Sequence, residues 1–258
     1  MLQILHEDNH ILVVVKPQNM PTQRDKSEDL DLLTEVKEYI RTKYGKPGNV
    51  YVGLVHRLDR PTGGVMVFAK TSKAAERLSQ AIRDGEMEKR YYAVTVGSPK
   101  EAADTLIDYL VKDPVTNTVK ICNRNEPGAK QAILSYHVLA RAPQVTLLDV
   151  KLGTGRSHQI RVQLKNIGTP IFGDMRYGGD VLAKGHNLAL WAYELRFVHP
   201  TTKTIMTFRA SPPVDAVPWS SFKNLDALFC NVTANDDAVR IALPNTDYDE
   251  KKIVRRTK

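Results

Sequence analysis

Asp59 is the only acid in the segment His56-Arg57-Leu58-Asp59-Arg60-Pro61-Thr62-Gly63-Gly64. Arginines stand near it on both sides, and an opposite charge within a few ångströms favours the ionised carboxyl. An ionised, positioned carboxylate is a competent nucleophile or general base. Pro61, Gly63 and Gly64 let the backbone turn sharply and approach its neighbours closely. The same composition also suits a structural salt bridge or a turn cap, and a lone aspartate between arginines more often serves in that way.

A second segment, GTGRSHQIRVQL at 153–164, sets two glycines before a helical pattern. Free N–H groups at a helix N-terminus favour anions. Arg156, His158 and Arg161 beside them suit a phosphate or a carboxylate. His158 and Arg161 are three residues apart and can share one side of a helix. The plainer alternative is a surface turn capped by Ser157. A third segment, EKRYYAVTVG at 88–97, offers Tyr91 to one face of a strand and Tyr92 to the other. One ring could stack on a base, and the other belongs in a core. His56, Asp59, His158 and Asp174 could be read as a metal-dependent hydrolase. Their spacing is not that of a zincin or a facial triad, so no metal is expected. The glycines lack the Gly-Lys-Ser/Thr ending of a P-loop.

Short apolar runs between turn signals supply the scaffold. ILVVV (11–15), YVGLV (51–55) and VMVFA (65–69) read as strands, and so do RYYAVTVG, AILSYHVLA, VTLLDVKL, LALWAYELRF and TIMTFRA. Leu33, Val36 and Ile40 have helical spacing over 31–45, and Ala75, Leu78 and Ile82 over 72–85, each run ending in glycine. Ile160, Leu164 and Ile167 place one apolar stripe on a helix over 157–168. Ser211-Pro212-Pro213 closes the strand-rich body. The expected domains are 1–213 and a C-terminal extension, 214–258, whose charged last fourteen residues suggest a mobile tail.

With 258 residues, 42% of them hydrophobic, the chain can bury a sizeable core. No apolar run approaches the roughly 18–20 residues that cross a bilayer. The start lacks the basic and then apolar pattern of a secretory signal. Two distant cysteines give neither a disulfide framework nor a C-x-x-C pair. The expectation is a cytoplasmic protein that does not enter membranes. Lys and Arg number 37 against 29 acids, a net charge of +8. A basic surface of this kind draws polyanions, nucleic acid before lipid.

Taken together, the blocks resemble the RluA family of pseudouridine synthases. ILHEDNHILVVVKPQNMPTQ is similar to the family's opening strand pair ending in Lys-Pro, HRLDRPTGGVMVFAKT to its His-Arg-Leu-Asp motif, and EKRYYAVTVG to its Lys-x-Tyr-x-Ala strand. TGRSHQIRVQLKNIGTPIFGDMRYG resembles its Gly-Arg-x-His-Gln-Ile-Arg block, and LALWAYELRFVHPTTKTIMTFRASPP its closing strands. The likeness runs from about residue 2 to 213, in order. It implies an α+β fold on a bent, mostly antiparallel mixed sheet with flanking helices and a central RNA-binding cleft. It implies isomerisation of uridine in structured rRNA or tRNA by a monomer without cofactor or metal. Asp59 would be the essential aspartate, Tyr91 would pack on the target base, and Arg161 would pair with the carboxylate. Arg57 would fill the space a flipped base leaves. Arg57, Arg60, Lys89, Arg156 and His158 are the expected RNA contacts. Many relatives carry an N-terminal S4-type domain, and this sequence opens on the catalytic pattern. It departs from the family pattern twice: Thr62-Gly63-Gly64 stands where Thr-Ser-Gly is usual, and Trp191 stands before Ala192 where His is usual.

Overall fold

The computed structural model describes residues 2–179 and 185–222. The part of the extension beyond 222, including the expected mobile tail, lies outside them. Among the described residues eleven strands join in one sheet, with β1 (Gln3–Glu7), β2 (Ile11–Lys16), β3 (Gly53–Leu54) and β4 (Gly63–Ala69) on one side. The remainder is β5 (Glu88–Val96), β6 (Ala103–Asp113), β7 (Thr118–Cys122), β8 (Lys130–Ala142), β9 (Val145–Leu152), β10 (Leu190–Val198) and β11 (Ile205–Arg209). The order is β1-β2-β4-β10-β5-β9-β8-β6-β7, with β3 paired to β4 and β11 to β10. Every pairing is antiparallel except β4 with β10, which is the mixed, mostly antiparallel sheet expected.

The unbroken apolar runs of β2 and β4 follow from burial on both faces. Leu12, Val14, Met66 and Phe68 enter the main core, and Ile11, Val13, Val65 and Val67 enter a second one. Helix α1 (Leu32–Tyr44) covers the first, and α2 (Ser72–Arg83) the second. Each starts where a short polar side chain accepts a backbone N–H: Asp31 from Thr34 at 3.0 Å, and Thr71 from Ala74 at 3.2 Å. Gly45, at φ +57°, ends α1. Helix α1 buries Leu32, Val36 and Ile40, so Leu32 replaces the expected Leu33, which lies at the margin of the core.

Three expectations need correction. The strand over 51–55 shrinks to Gly53–Leu54. Strands β6 and β7 were not expected, because acids and lysine break their alternation and both lie half open to solvent. Helix α3 (Gln159–Asn166) has no single stripe: all six residues from Gln159 to Leu164 are buried. It is wedged between two clusters, with Ile160 and Leu164 in the main core and Val162 packed with Leu110, Val119 and Ala132. Past residue 213 the chain buries Trp219 and Phe222 in the main core. No helix among the described residues is long and apolar enough to cross a membrane.

Candidate active site

Asp59 lies in the loop between β3 and β4, on the wall of a cleft of about 2090 Å³. Eleven arginines and lysines line that cleft against four acids, so its field favours a polyanion. The loop is anchored from below by a residue whose part was not read from the sequence. Lys16, fully buried at the end of β2, donates to the carbonyls of Pro17, Met20 and Arg60 at 2.9, 2.6 and 3.0 Å. Burial pushes its amine down to about 7, and the charge of Asp59 acts in the opposite direction. Thr62 N–H donates to the Asp59 carbonyl at 3.0 Å and closes the turn.

Arg161, 5% exposed, enters the site from α3. Its Nη1 donates to Asp59 Oδ2 at 3.3 Å. Its planar fork, however, is held by Asp174: Nε to Oδ2 at 2.8 Å and Nη2 to Oδ1 at 2.7 Å. Asp174 is fixed in turn by the backbone N–H groups of Arg176 and Tyr177 at 3.0 and 3.1 Å. Against the opposing effect of burial, the two carboxylates hold the Arg161 guanidinium above its ordinary range. Nothing in the spacing of the sequence pointed to Asp174 in this role. Only Asp59 Oδ2 has protein partners: Oδ1 makes no hydrogen bond or ion pair with any described residue.

Tyr91 lines the cleft from β5, 6% exposed, while Tyr92 turns to the other face and stacks on Tyr193 with centroids 4.0 Å apart. Burial and then the charge of Asp59 push the Tyr91 phenol well above its usual range, so it is neutral. Arg57 is exposed at the cleft rim and makes no ion pair or hydrogen bond with a described residue. Arg60 is already engaged, with Asp25, Asp29, Ser27 and the Asn19 carbonyl. Lys89 is half-buried in the cleft wall, and burial lowers its pKa. Arg156 is exposed and donates through Nε to the Gln131 carbonyl at 2.8 Å.

The turn before α3 is not capped by Ser157. Gln159 Oε1 accepts from Thr154 Oγ1 and Arg156 N–H at 2.8 and 2.9 Å, and His158 takes the cap position with no side-chain capping bond. The metal reading fails on placement. His56 Nε2 accepts the Val67 N–H at 3.1 Å, burial lowers its pKa to about 3, and Asp174 is committed to Arg161. No group of three His, Cys, Asp or Glu among the described residues is placed to hold a metal ion.

The sheet and its basic cleft carry a carboxylate–arginine–carboxylate chain that runs from the part-exposed Asp59 to the buried Asp174, and known proteins of one kind share its fold and sequence. A family model described as RNA pseudouridylate synthase matches residues 10–166. The chain is 34% identical over 232 residues to a Vibrio cholerae protein named tRNA pseudouridine synthase C, covering 81% of this chain and 91% of that one. It is 31% identical over 232 residues to a Buchnera aphidicola protein named ribosomal large subunit pseudouridine synthase C, covering 86% and 70%. The solved structure of human RNA Pseudouridylate Synthase Domain Containing 4 matches in fold, with a TM-score of 0.69 over 82% of this chain and 88% of that one, at 24% identity. Fold and matches together define an RNA-modifying isomerase. The chain belongs to the RNA pseudouridylate synthase family, RluA type, whose reaction converts uridine to pseudouridine.

Proposed function

We propose that this chain isomerises uridine in structured tRNA or rRNA, with Asp59 acting on a uridine flipped out of its stack. The substrate class rests on the relatives named for tRNA and for the ribosomal large subunit. The single observation that carries the mechanism is the asymmetry of Asp59: Oδ2 is held by Arg161 and Oδ1 is left to the cleft. The reaction breaks N1–C1′, turns the uracil over, forms C5–C1′, and moves a proton from C5 to N1. Atoms and oxidation state are conserved, so the residues present suffice. Extrusion of the base costs a few kcal/mol, and Arg57, free at the rim, fills the vacated stack. Oδ1 then acts at C1′, at C6 or on the 2′ proton, each within the competence of an ionised carboxylate. The neutral ring of Tyr91 and the adjoining apolar wall hold the faces of the detached uracil and leave its edges free to rotate.

Lys89 and Arg156 would contact phosphates, whereas Arg60, tied to Asp25 and Asp29, contributes less than its position in the sequence suggests. The test is Asp59→Asn, nearly isosteric but uncharged. Tritium release from RNA carrying 5-tritiated uridine should vanish, with RNA affinity changed no more than a few-fold. Retention of more than trace release would remove Asp59 from the chemistry.

A further inference from the structure

His158 takes the left-handed backbone conformation, which is uncommon for a residue with a Cβ: φ is +52° and ψ +19°. For a residue with a Cβ the left-handed region costs roughly 1–2 kcal/mol, and such outliers persist only where the surroundings over-determine them. The side chain is 10% exposed, and its two ring nitrogens point at two different groups. Nδ1 lies 2.6 Å from Tyr177 Oη, and Nε2 lies 3.9 Å from Asp59 Oδ2.

The protons along this chain can be placed. Val119 N–H can only donate, and it donates to Tyr177 Oη at 2.9 Å. The phenol keeps its proton, because burial raises its pKa. Its one acceptor among the described residues is His158 Nδ1. With Nδ1 accepting, a neutral imidazole must carry its hydrogen on Nε2. Burial lowers the His158 pKa first, and the charges of Arg161, Arg176 and Lys112 lower it further against the pull of Asp59. The ring is therefore a neutral donor whose Nε2 lies 3.9 Å from Asp59 Oδ2, about 0.7 Å beyond hydrogen-bond range. Tyr177 serves both donors to that oxygen, since its ring also lies 5.0 Å from the Arg161 guanidinium carbon.

We propose that His158 is a positioning residue: its Nε2–H closes on Asp59 Oδ2 when the nucleotide is seated, and with Arg161 it leaves Oδ1 as the one oxygen that faces the substrate. This rests on the reading of Asp59 given above. A neutral donor suits the task, because it fixes the carboxylate without adding a second cation that would quench it. The alternative role, a cation for phosphate, requires the proton that the surroundings remove.

Two measurements on the full chain test this. In ¹⁵N NMR of histidine-labelled protein at pH 7, His158 should show an unprotonated Nδ1 and a protonated Nε2. The other tautomer, or the doubly protonated ring, would overturn the proposal whatever Asp59 does. In single-turnover assays at saturating RNA, His158→Asn tolerates the left-handed backbone but cannot reach Asp59, and should lose about ten- to a hundredfold in rate with RNA affinity unchanged. His158→Gln, whose amide reaches the Nε2 position, should recover part of that loss. Tyr177→Phe removes the donor to Nδ1, so the His158 pKa rises. On acidification its rate should then begin to fall at a higher pH than that of the unmodified protein. A His158→Asn variant with full rate and weakened RNA binding would make His158 a phosphate contact and end the proposal. Full activity of Asp59→Asn would instead remove the reading on which it depends, while leaving the tautomer result standing.

Discussion

Arg161 sits between two carboxylates, and this changes what its replacement should do. Asp174 is buried and takes Nε and Nη2, so Arg161→Met strands a carboxylate without its counter-charge as well as freeing Asp59. Breaking a buried pair in this way costs about 3–5 kcal/mol. Arg161→Met should therefore melt well below the unmodified protein and turn over at least about a hundredfold more slowly. Arg161→Lys should recover part of the rate, because it restores the charge but not the fork. Arg161→Met combined with Asp174→Asn separates the two effects: thermal unfolding should recover substantially while single-turnover isomerisation stays low. Recovery of the rate in the double variant would make Arg161 purely structural. The contact of Arg161 with Asp59 was implied by the family resemblance of their two motifs, whereas the spacing of the residues alone left a salt bridge or a turn cap as the plainer reading. Asp174 was not legible, since an acid in a glycine-rich turn carries no spacing signal, and neither was Tyr177, whose hydroxyl matters only once the loop folds against β7.

Among the elements, β2, β4, β9 and β10 could be read because burial makes their sequences apolar, and α1 and α2 because their caps are explicit. Strands β6 and β7 escaped because half-exposed pairing leaves mixed polarity, and α3 misled because a helix buried all round still shows periodic aliphatics. The junction of β4 and β10 explains both departures from the family pattern at once. Gly63 pairs with Trp191 in register, and a Cβ on Gly63 would stand 2.2 Å from the indole Cζ3. The indole N–H donates to the Ala210 carbonyl at 2.8 Å, which holds the ring in that place. Gly63→Ser should thus destabilise by about 1–3 kcal/mol through overpacking. Trp191→His should destabilise by leaving space and losing a hydrogen bond. The double replacement should cost clearly less than the sum, with a coupling of about 1 kcal/mol or more in a denaturation cycle. Additive losses would mean the two changes are unrelated.

At the scale of the molecule, the sheet gathers charge that is scattered in the sequence onto one concave surface, where it acts as a field rather than as pairs. If about five phosphates of a single-stranded or looped RNA are neutralised there, the logarithm of the association constant should fall against log salt with a slope near −3 to −5. Filter-binding titrations between low and physiological salt would measure it, and a flat response would count against RNA in the cleft. The net charge was plain in the sequence, but its placement was not, because β5, β6, β8 and β9 bring together residues far apart in the chain.

The Gly63–Trp191 contact has a further consequence, for history rather than for chemistry. From a chain with serine and histidine at these places, single replacements can proceed in one order only without collision. Glycine must come first, leaving a small void, and tryptophan second, filling it. The reverse order passes through a protein in which an indole and a Cβ claim the same volume. Once the tryptophan is seated, a return to serine meets the indole, so the step back carries a packing cost of about 1–3 kcal/mol that the forward order never meets.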